Sequence, residues 1–107
     1  MNEINLEKIK HVHFIGIGGI GVSAVARMML AQGKGVSGSD ISESRITKEL
    51  AELGAYISIG HKSENIPQEA DLMIYTIAVS PNNPEYEEAT RRNIPAVSYP
   101  EFLGIIS

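Results

Sequence analysis

Residues 13–23 read His-Phe-Ile-Gly-Ile-Gly-Gly-Ile-Gly-Val-Ser, which places four glycines within six positions. An apolar run precedes the glycines, and an amphipathic run, residues 22–31, follows them. This order predicts a buried strand, a tight turn and a helix. Gly16, Gly18 and Gly21 match the G-x-G-x-x-G spacing of the turn that holds a diphosphate in nucleotide-binding folds.

Glycine has a physical role at each position of this motif. The first allows the sharp turn, the second lets a diphosphate approach the backbone, and the third lets the helix pack closely. The helix N-terminus adds unpaired N–H groups and about half a positive charge. Asp40 follows Gly21 by nineteen residues, near the roughly 20 expected of a ribose-binding acid. Two alternatives stay open: a turn that binds nothing, and Asp40 as a helix N-cap.

Composition restricts the class of protein. With 107 residues and 43% hydrophobic content, the chain has the size of one domain, residues 1–107. It contains no cysteine, which excludes disulfides and cysteine-ligated zinc. A net charge of −4 without a basic stripe argues against nucleic-acid binding. No signal peptide and no apolar run of roughly 20 residues is present, so we expect a cytoplasmic protein that is not inserted in a membrane.

The alternation of apolar and amphipathic segments predicts the order β-α-β-α-β-β-α-β-α. Right-handed crossovers then give an α/β, Rossmann-like, doubly wound fold: a mainly parallel five-stranded sheet with helices on both faces. Its ligand crevice lies at the carboxyl ends of the strands. The predicted strands are residues 11–17, 35–40, 55–60, 70–77 and 96–99.

Local signals mark the helices. The first ends before Gly33, and the second is expected to be capped by Asp40 or Ser42 and to turn Leu53 inward. The third begins with Asn83 as N-cap, followed by proline and acids in the first turn.

Two histidines occupy the first strand. His11 and His13 alternate with apolar residues and therefore share one face. Since no carboxylate or cysteine lies near them in the sequence, we interpret them as structural and predict no metal site.

Motifs for chemistry are absent from the sequence. It has no G-x-x-x-x-G-K-[ST] loop for ATP, no G-x-S-x-G nucleophile elbow and no obvious catalytic carboxylate pair. We therefore predict no catalytic residues, and a domain that holds a diphosphate-containing ligand without transforming it.

Three segments resemble one family: residues 13–23, Val-Ser-Gly-Ser-Asp at 36–40 and Ile-Gly-His at 59–61. Together they are similar to the N-terminal domain of the Mur ligases, and the resemblance covers essentially the whole chain. The Gly18-Gly19 doublet favours the alanine-adding branch over the branch that reattaches recycled murein peptide.

The resemblance implies a function. In this family an N-terminal domain binds the UDP moiety of UDP-N-acetylmuramate, a central domain binds ATP, and a C-terminal domain helps to hold the amino acid. The complete enzyme uses ATP and Mg²⁺ to phosphorylate the lactyl carboxylate, which L-alanine then attacks during peptidoglycan biosynthesis. This chain has no ATP site, so we expect it to be inactive alone and to need those two domains as partners.

The resemblance also implies roles for individual residues. Backbone N–H groups of the glycine turn contact the diphosphate, Asp40 accepts from the ribose with Ser39 beside it, and His61 lies in the uridine pocket. Taken alone, a histidine at position 61 is more often a surface loop residue, and only the resemblance makes a ligand role an equal alternative. The implied UDP-binding residues are Gly18, Gly19, Ile20, Gly21, Ser39, Asp40, His61, Thr76, Ile77 and Ala78.

Two other functions compete with this one. The glycine turn and Asp40 also suit an NAD-binding domain of a dehydrogenase or of a ligand-gated regulator. A structural domain that has lost binding is the third possibility. Three features favour UDP binding over NAD binding: the Gly18-Gly19 doublet, Gly-Ser-Asp at 38–40 and Gly-His at 60–61. The retained glycines and Asp40 argue against loss of binding.

Overall fold

The computed structural model describes residues 4–107, which form five strands and four helices; residues 1–3 of the predicted domain lie outside the described part. The strands are β1 His11–Ile15, β2 Gly35–Asp40, β3 Tyr56–Ile59, β4 Leu72–Tyr75 and β5 Ala96–Ser98. The helices are α1 Ile20–Ala31, α2 Arg45–Glu52, α3 Pro84–Arg91 and α4 Tyr99–Ile106, and a short 3₁₀ turn covers Ser63–Asn65.

The strands form one sheet in the order β3-β2-β1-β4-β5, and every neighbouring pair is parallel. The chain runs outward from β1 to β3, returns to the middle at β4 and runs outward again to β5. The predicted α/β doubly wound fold is confirmed. Its topological switch point lies between β1 and β4, where ligands bind in folds of this class.

Two apolar clusters lie on opposite faces of the sheet. The alternation of β4 shows this directly, because Leu72 and Ile74 belong to the first cluster and Met73 belongs to the second. All three side chains are fully buried. Helices α1, α2 and α4 contribute to the first cluster, whereas Ala89 of α3 packs in the second. Helices therefore cover both faces, as a central parallel sheet requires.

The start of α2 differs from the prediction. Its N-cap is Ser44, whose Oγ accepts from the Thr47 N–H at 3.2 Å while the Thr47 Oγ1 accepts from the Ser44 N–H at 2.9 Å. The predicted caps, Asp40 and Ser42, are wrong because a turn separates β2 from α2. Leu53 was expected in the core but is 58% exposed, since it follows the last helical residue.

Candidate functional site

A cleft of about 580 Å³ opens at the carboxyl ends of β1, β2 and β4. Six of the residues predicted to bind UDP line it: Gly18, Gly19, Asp40, His61, Thr76 and Ala78. The four others lie outside its lining: Ile20 and Ile77 are exposed, Gly21 is half-buried, and Ser39 is fully buried beneath the wall. The cleft thus brings four separate segments of the chain together at the switch point.

The glycine turn is held by backbone hydrogen bonds to β2. The N–H groups of Gly16 and Ile17 both donate to the carbonyl of Ser39, at 2.8 and 3.1 Å. Gly16 has a φ of +83°, and a Cβ there would lie 2.7 Å from Cγ2 of Thr76. Only glycine fits this position without strain. Ile17, fully buried, anchors the turn in the core.

Helix α1 begins immediately beside the cleft. Gly19 is its N-cap and offers no capping side chain. The N–H groups of Ile20 and Gly21, in the first turn, have no acceptor within the helix. The third glycine of the motif packs against α4, a contact that the sequence did not indicate: a Cβ on Gly21 would lie 2.5 Å from the ring of Tyr99.

Asp40 is bonded to the glycine turn. Its Oδ2 accepts from the Gly18 N–H at 2.8 Å, and its Oδ1 accepts from the Ile41 N–H at 2.8 Å. A carboxylate has about four acceptor positions, so two remain for a ligand. The same side chain can therefore hold the turn and accept from hydroxyl groups in the cleft.

Beneath the cleft lies a buried polar network centred on Glu85, in the first turn of α3. The side chain is fully buried. Its Oε1 accepts from Nε2 of His13 at 2.6 Å and from Oγ of Ser39 at 2.8 Å. Its Oε2 accepts from Nδ2 of Asn65 at 2.8 Å and from the N–H of Lys62 at 3.1 Å. All four acceptor positions of the carboxylate are thus occupied.

The network extends along the sheet and up to the cleft. On the sheet, Nδ1 of His13 and Nε2 of His11 lie 2.7 and 2.9 Å from Oγ of Ser37. Toward the cleft, Nδ1 of His61 lies 2.8 Å from Oγ of Ser39. Glu85 therefore connects the buried histidine face of β1 with the histidine in the cleft wall.

Burial and hydrogen bonding oppose each other at Glu85. Burial acts to raise the pKa of its carboxyl, but hydrogen bonds from His13, Asn65 and Ser39 outweigh burial and hold the pKa below its usual value. At His11, burial is the main effect and lowers the pKa of the imidazole. Glu85 is therefore a carboxylate, stabilised also by its place at a helix N-terminus.

The sequence did not reveal this network. The two histidines do share a face, as predicted, but they are not without a carboxylate, because Glu85 reaches His13 from 72 residues away. A signal was present in the alternation of His11, His13, Ser37 and Ser39 on strands predicted to be buried. A polar face on a buried strand needs a polar partner from the element that covers it.

Two further features concern the described residues as a whole. Within residues 4–107, no three His, Cys, Asp or Glu side chains are grouped so as to hold a metal ion. Over the same residues, no helix has the length and apolar character needed to cross a bilayer.

The comparisons with known proteins all indicate one family. Residues 11–107 match the family described as "Mur ligase family, catalytic domain". The UDP-N-acetylmuramate–L-alanine ligase of Aquifex aeolicus is 54% identical over 98 residues, which are 92% of this chain and 21% of that protein. The enzyme of the same name from Clostridium tetani is 52% identical over 101 residues, 94% of this chain and 22% of that protein.

Solved structures show the same similarity. The crystal structure of UDP-N-acetylmuramate–alanine ligase from Thermotoga maritima matches with a TM-score of 0.84 and 39% identity, over 89% of this chain and 22% of that one. The UDP-N-acetylmuramate:L-alanyl-gamma-D-glutamyl-meso-diaminopimelate ligase from Neisseria meningitides matches with a TM-score of 0.78 and 26% identity, over 89% and 30%. The predicted resemblance is confirmed. The chain spans about a fifth of the length of its curated relatives.

Proposed function

Because this chain belongs to the Mur ligase family, we propose that it binds the UDP moiety of UDP-N-acetylmuramate as the N-terminal domain of the ligase that adds L-alanine. The observation that carries the proposal is the cleft at the switch point. There, the glycine turn, Asp40, His61 and the segment after β4 line one cleft. This combination supports a single nucleoside pocket next to a diphosphate site.

Backbone donors at the start of α1 suit the diphosphate. The Gly18 N–H already donates to Asp40, and the Gly19 N–H donates to the Gly16 carbonyl at 3.1 Å. The N–H groups of Ile20 and Gly21 have no acceptor within the helix and lie at the positive end of the helix dipole. We therefore assign the strongest phosphate contacts to these two amides.

The reaction itself requires further domains. In the proposed parent enzyme, ATP and Mg²⁺ serve to phosphorylate the lactyl carboxylate, and L-alanine then forms the amide. Residues 1–107 contain no phosphate-binding loop for ATP. The central and C-terminal ligase domains are thus the proposed partners, and a cytoplasmic location belongs to the same proposal.

Amide chemical shifts in an NMR titration test the proposal. UDP and UDP-N-acetylmuramate should shift the amides of Ile20 and Gly21 most, followed by Asp40, His61 and the segment 76–78. NAD at equal concentration should shift them less, because it needs a second nucleoside groove. Tighter binding of NAD than of UDP would replace the ligase proposal with the dinucleotide-binding alternative.

A further inference from the structure

The direction of each hydrogen bond beneath the cleft can be assigned from the chemistry of the groups. Glu85 is a carboxylate, so every partner must donate to it. Ser39 has a single hydroxyl hydrogen, which is donated to Oε1 of Glu85 at 2.8 Å. Its Oγ must therefore accept from Nδ1 of His61, 2.8 Å away. This requires a hydrogen on Nδ1 of His61.

We propose that Glu85 fixes His61 in the Nδ1–H tautomer, so that its Nε2 is a hydrogen-bond acceptor for a donor group of the ligand. Glu85 acts through Ser39, and its own Oε2 also lies 3.5 Å from Nδ1 of His61. Nε2 has no hydrogen-bond partner among residues 4–107 and is not a buried atom. The His61 side chain is 20% exposed and lines the cleft. Glu85 and Ser39 are positioning residues, since both are buried and act through His61.

The backbone around His61 is held by the same carboxylate. Oε2 of Glu85 accepts from the Lys62 N–H, one residue beyond His61. Nδ2 of Asn65 donates both to that Oε2 and to the carbonyl of Gly60, at 2.8 and 2.9 Å. The backbone before and after His61 is thus fixed, which places the imidazole beside Ser39.

The choice of ligand group rests on the proposed function. An acceptor at Nε2 favours an N–H or O–H donor and disfavours a second acceptor. A uridine nucleotide offers two kinds of donor, the N3–H of its base and the hydroxyls of its ribose. Asp40 also accepts, so the cleft would present two acceptors to these donors.

The tautomer can be measured directly in the ligand-free 107-residue chain. We would record ¹⁵N spectra of the imidazole rings about two units above the ordinary histidine pKa of about 6.5. The His61 signals would be assigned by their loss in His61→Gln. The expected result is a protonated Nδ1 and an unprotonated Nε2. A protonated Nε2 would overturn the proposal, whether or not the chain binds UDP.

Glu85→Gln should reverse the tautomer. Its amide oxygen must face the Lys62 N–H, because a backbone N–H cannot become an acceptor. The amide NH₂ then faces Ser39, whose hydroxyl accepts from it and donates to Nδ1 of His61. Nε2 of His61 consequently gains the hydrogen.

Glu87→Gln is the matched control, since Glu87 is an exposed acid in the same helical turn. A folded Glu85→Gln variant with an unchanged His61 tautomer would contradict the inference.

Ligand analogues test the acceptor role. UDP should bind Glu85→Gln about tenfold more weakly than the wild-type chain, as expected when a donor meets another donor, and Glu87→Gln as tightly as wild type. N3-methyl-UDP identifies the base N–H as the donor, and 2′- and 3′-deoxy-UDP identify the ribose. The analogue that lacks the relevant donor should bind the wild-type chain about tenfold more weakly than UDP does. It should bind Glu85→Gln almost as tightly as UDP does.

The possible failures are distinguishable. If all analogues bind the wild-type chain as tightly as UDP, the acceptor role is excluded while the UDP-binding proposal stands. If UDP itself does not bind, the proposed function fails, and the ¹⁵N spectra still decide whether Glu85 fixes the tautomer.

Discussion

The Asp40 carboxylate holds the glycine turn and keeps acceptor positions available at the cleft. It accepts from the N–H groups of Gly18 and Ile41 and still has free acceptor positions facing the cleft. The sequence alternatives, ribose ligand or helix cap, were therefore incomplete. Asp40 does not cap α2, but it fixes the turn that begins α1.

Substitutions at Asp40 can separate these roles. Asp40→Ala should weaken UDP binding by about 1–3 kcal/mol, because ribose donors lose their acceptor, and should also lower the melting temperature since the Gly18 N–H loses its partner. Asp40→Asn retains one acceptor oxygen and should restore part of the melting temperature. Calorimetric titration beside a thermal melt measures both effects. If Asp40→Ala melts earlier but binds UDP normally, Asp40 has only the structural role.

Glu85 shows why part of the site was not predictable. Its position after Asn83-Pro84 predicted a helix start, which is confirmed by Oδ1 of Asn83 accepting from the Glu85 N–H at 2.8 Å. A first-turn acid ordinarily faces solvent, and nothing local distinguishes Glu85 from Glu87. Its burial arises because the covering helix meets the polar face of β1, a contact between residues 72 apart in the sequence.

At the scale of elements, sequence predicted the existence and order of strands and helices better than their ends. The spacing of apolar residues indicates which face of a helix is buried, and this pattern extends over many residues. A cap depends on one side chain, and several serines and an aspartate precede α2. The structure selects Ser44, because only it is paired with Thr47 three residues later in a reciprocal capping box.

A pair of serine substitutions tests this capping assignment. Ser44→Ala should lower the free energy of unfolding by about 1 kcal/mol, the usual effect of losing an N-cap. Ser42→Ala is the control, because Ser42 is exposed and lies outside the capping box, and it should leave stability nearly unchanged. Urea denaturation of both variants decides whether Ser44 or Ser42 caps α2. A larger loss in Ser42→Ala would restore the sequence-based assignment.

At the scale of the whole molecule, the doubly wound topology was predictable because alternating strands and helices with right-handed crossovers leave few arrangements. The same rule places the glycine turn, Asp40 and His61 at one edge of the sheet, which the cleft confirms. The rule does not specify which side chains meet beneath that edge. The buried network is therefore the part of the site that required the folded structure.

The isolated chain should neither hydrolyse ATP nor join alanine to UDP-N-acetylmuramate. It has no phosphate-binding loop for ATP and spans about a fifth of its curated relatives. Phosphate release with and without L-alanine measures this, with a full-length relative as positive control. Alanine-dependent phosphate release by the purified chain would show that the reaction needs no further domain.

Acid should destabilise the fold in two steps, through His11 and Glu85. Both pKa values are lowered in the native state, so the unfolded chain binds these protons more readily. The stabilisation from His11 is complete above its ordinary pKa of 6.5 and is lost as the pH falls through its lowered native value. The stabilisation from Glu85 is complete above its ordinary pKa of 4.5 and is lost as the pH falls through its lowered native value.

Urea denaturation across this pH range should show both losses of stability. Glu85→Gln should keep the loss that comes from His11 and remove the loss that comes from Glu85, and Glu87→Gln should keep both. An unchanged loss below pH 4.5 in Glu85→Gln would assign the acid sensitivity to other carboxyls.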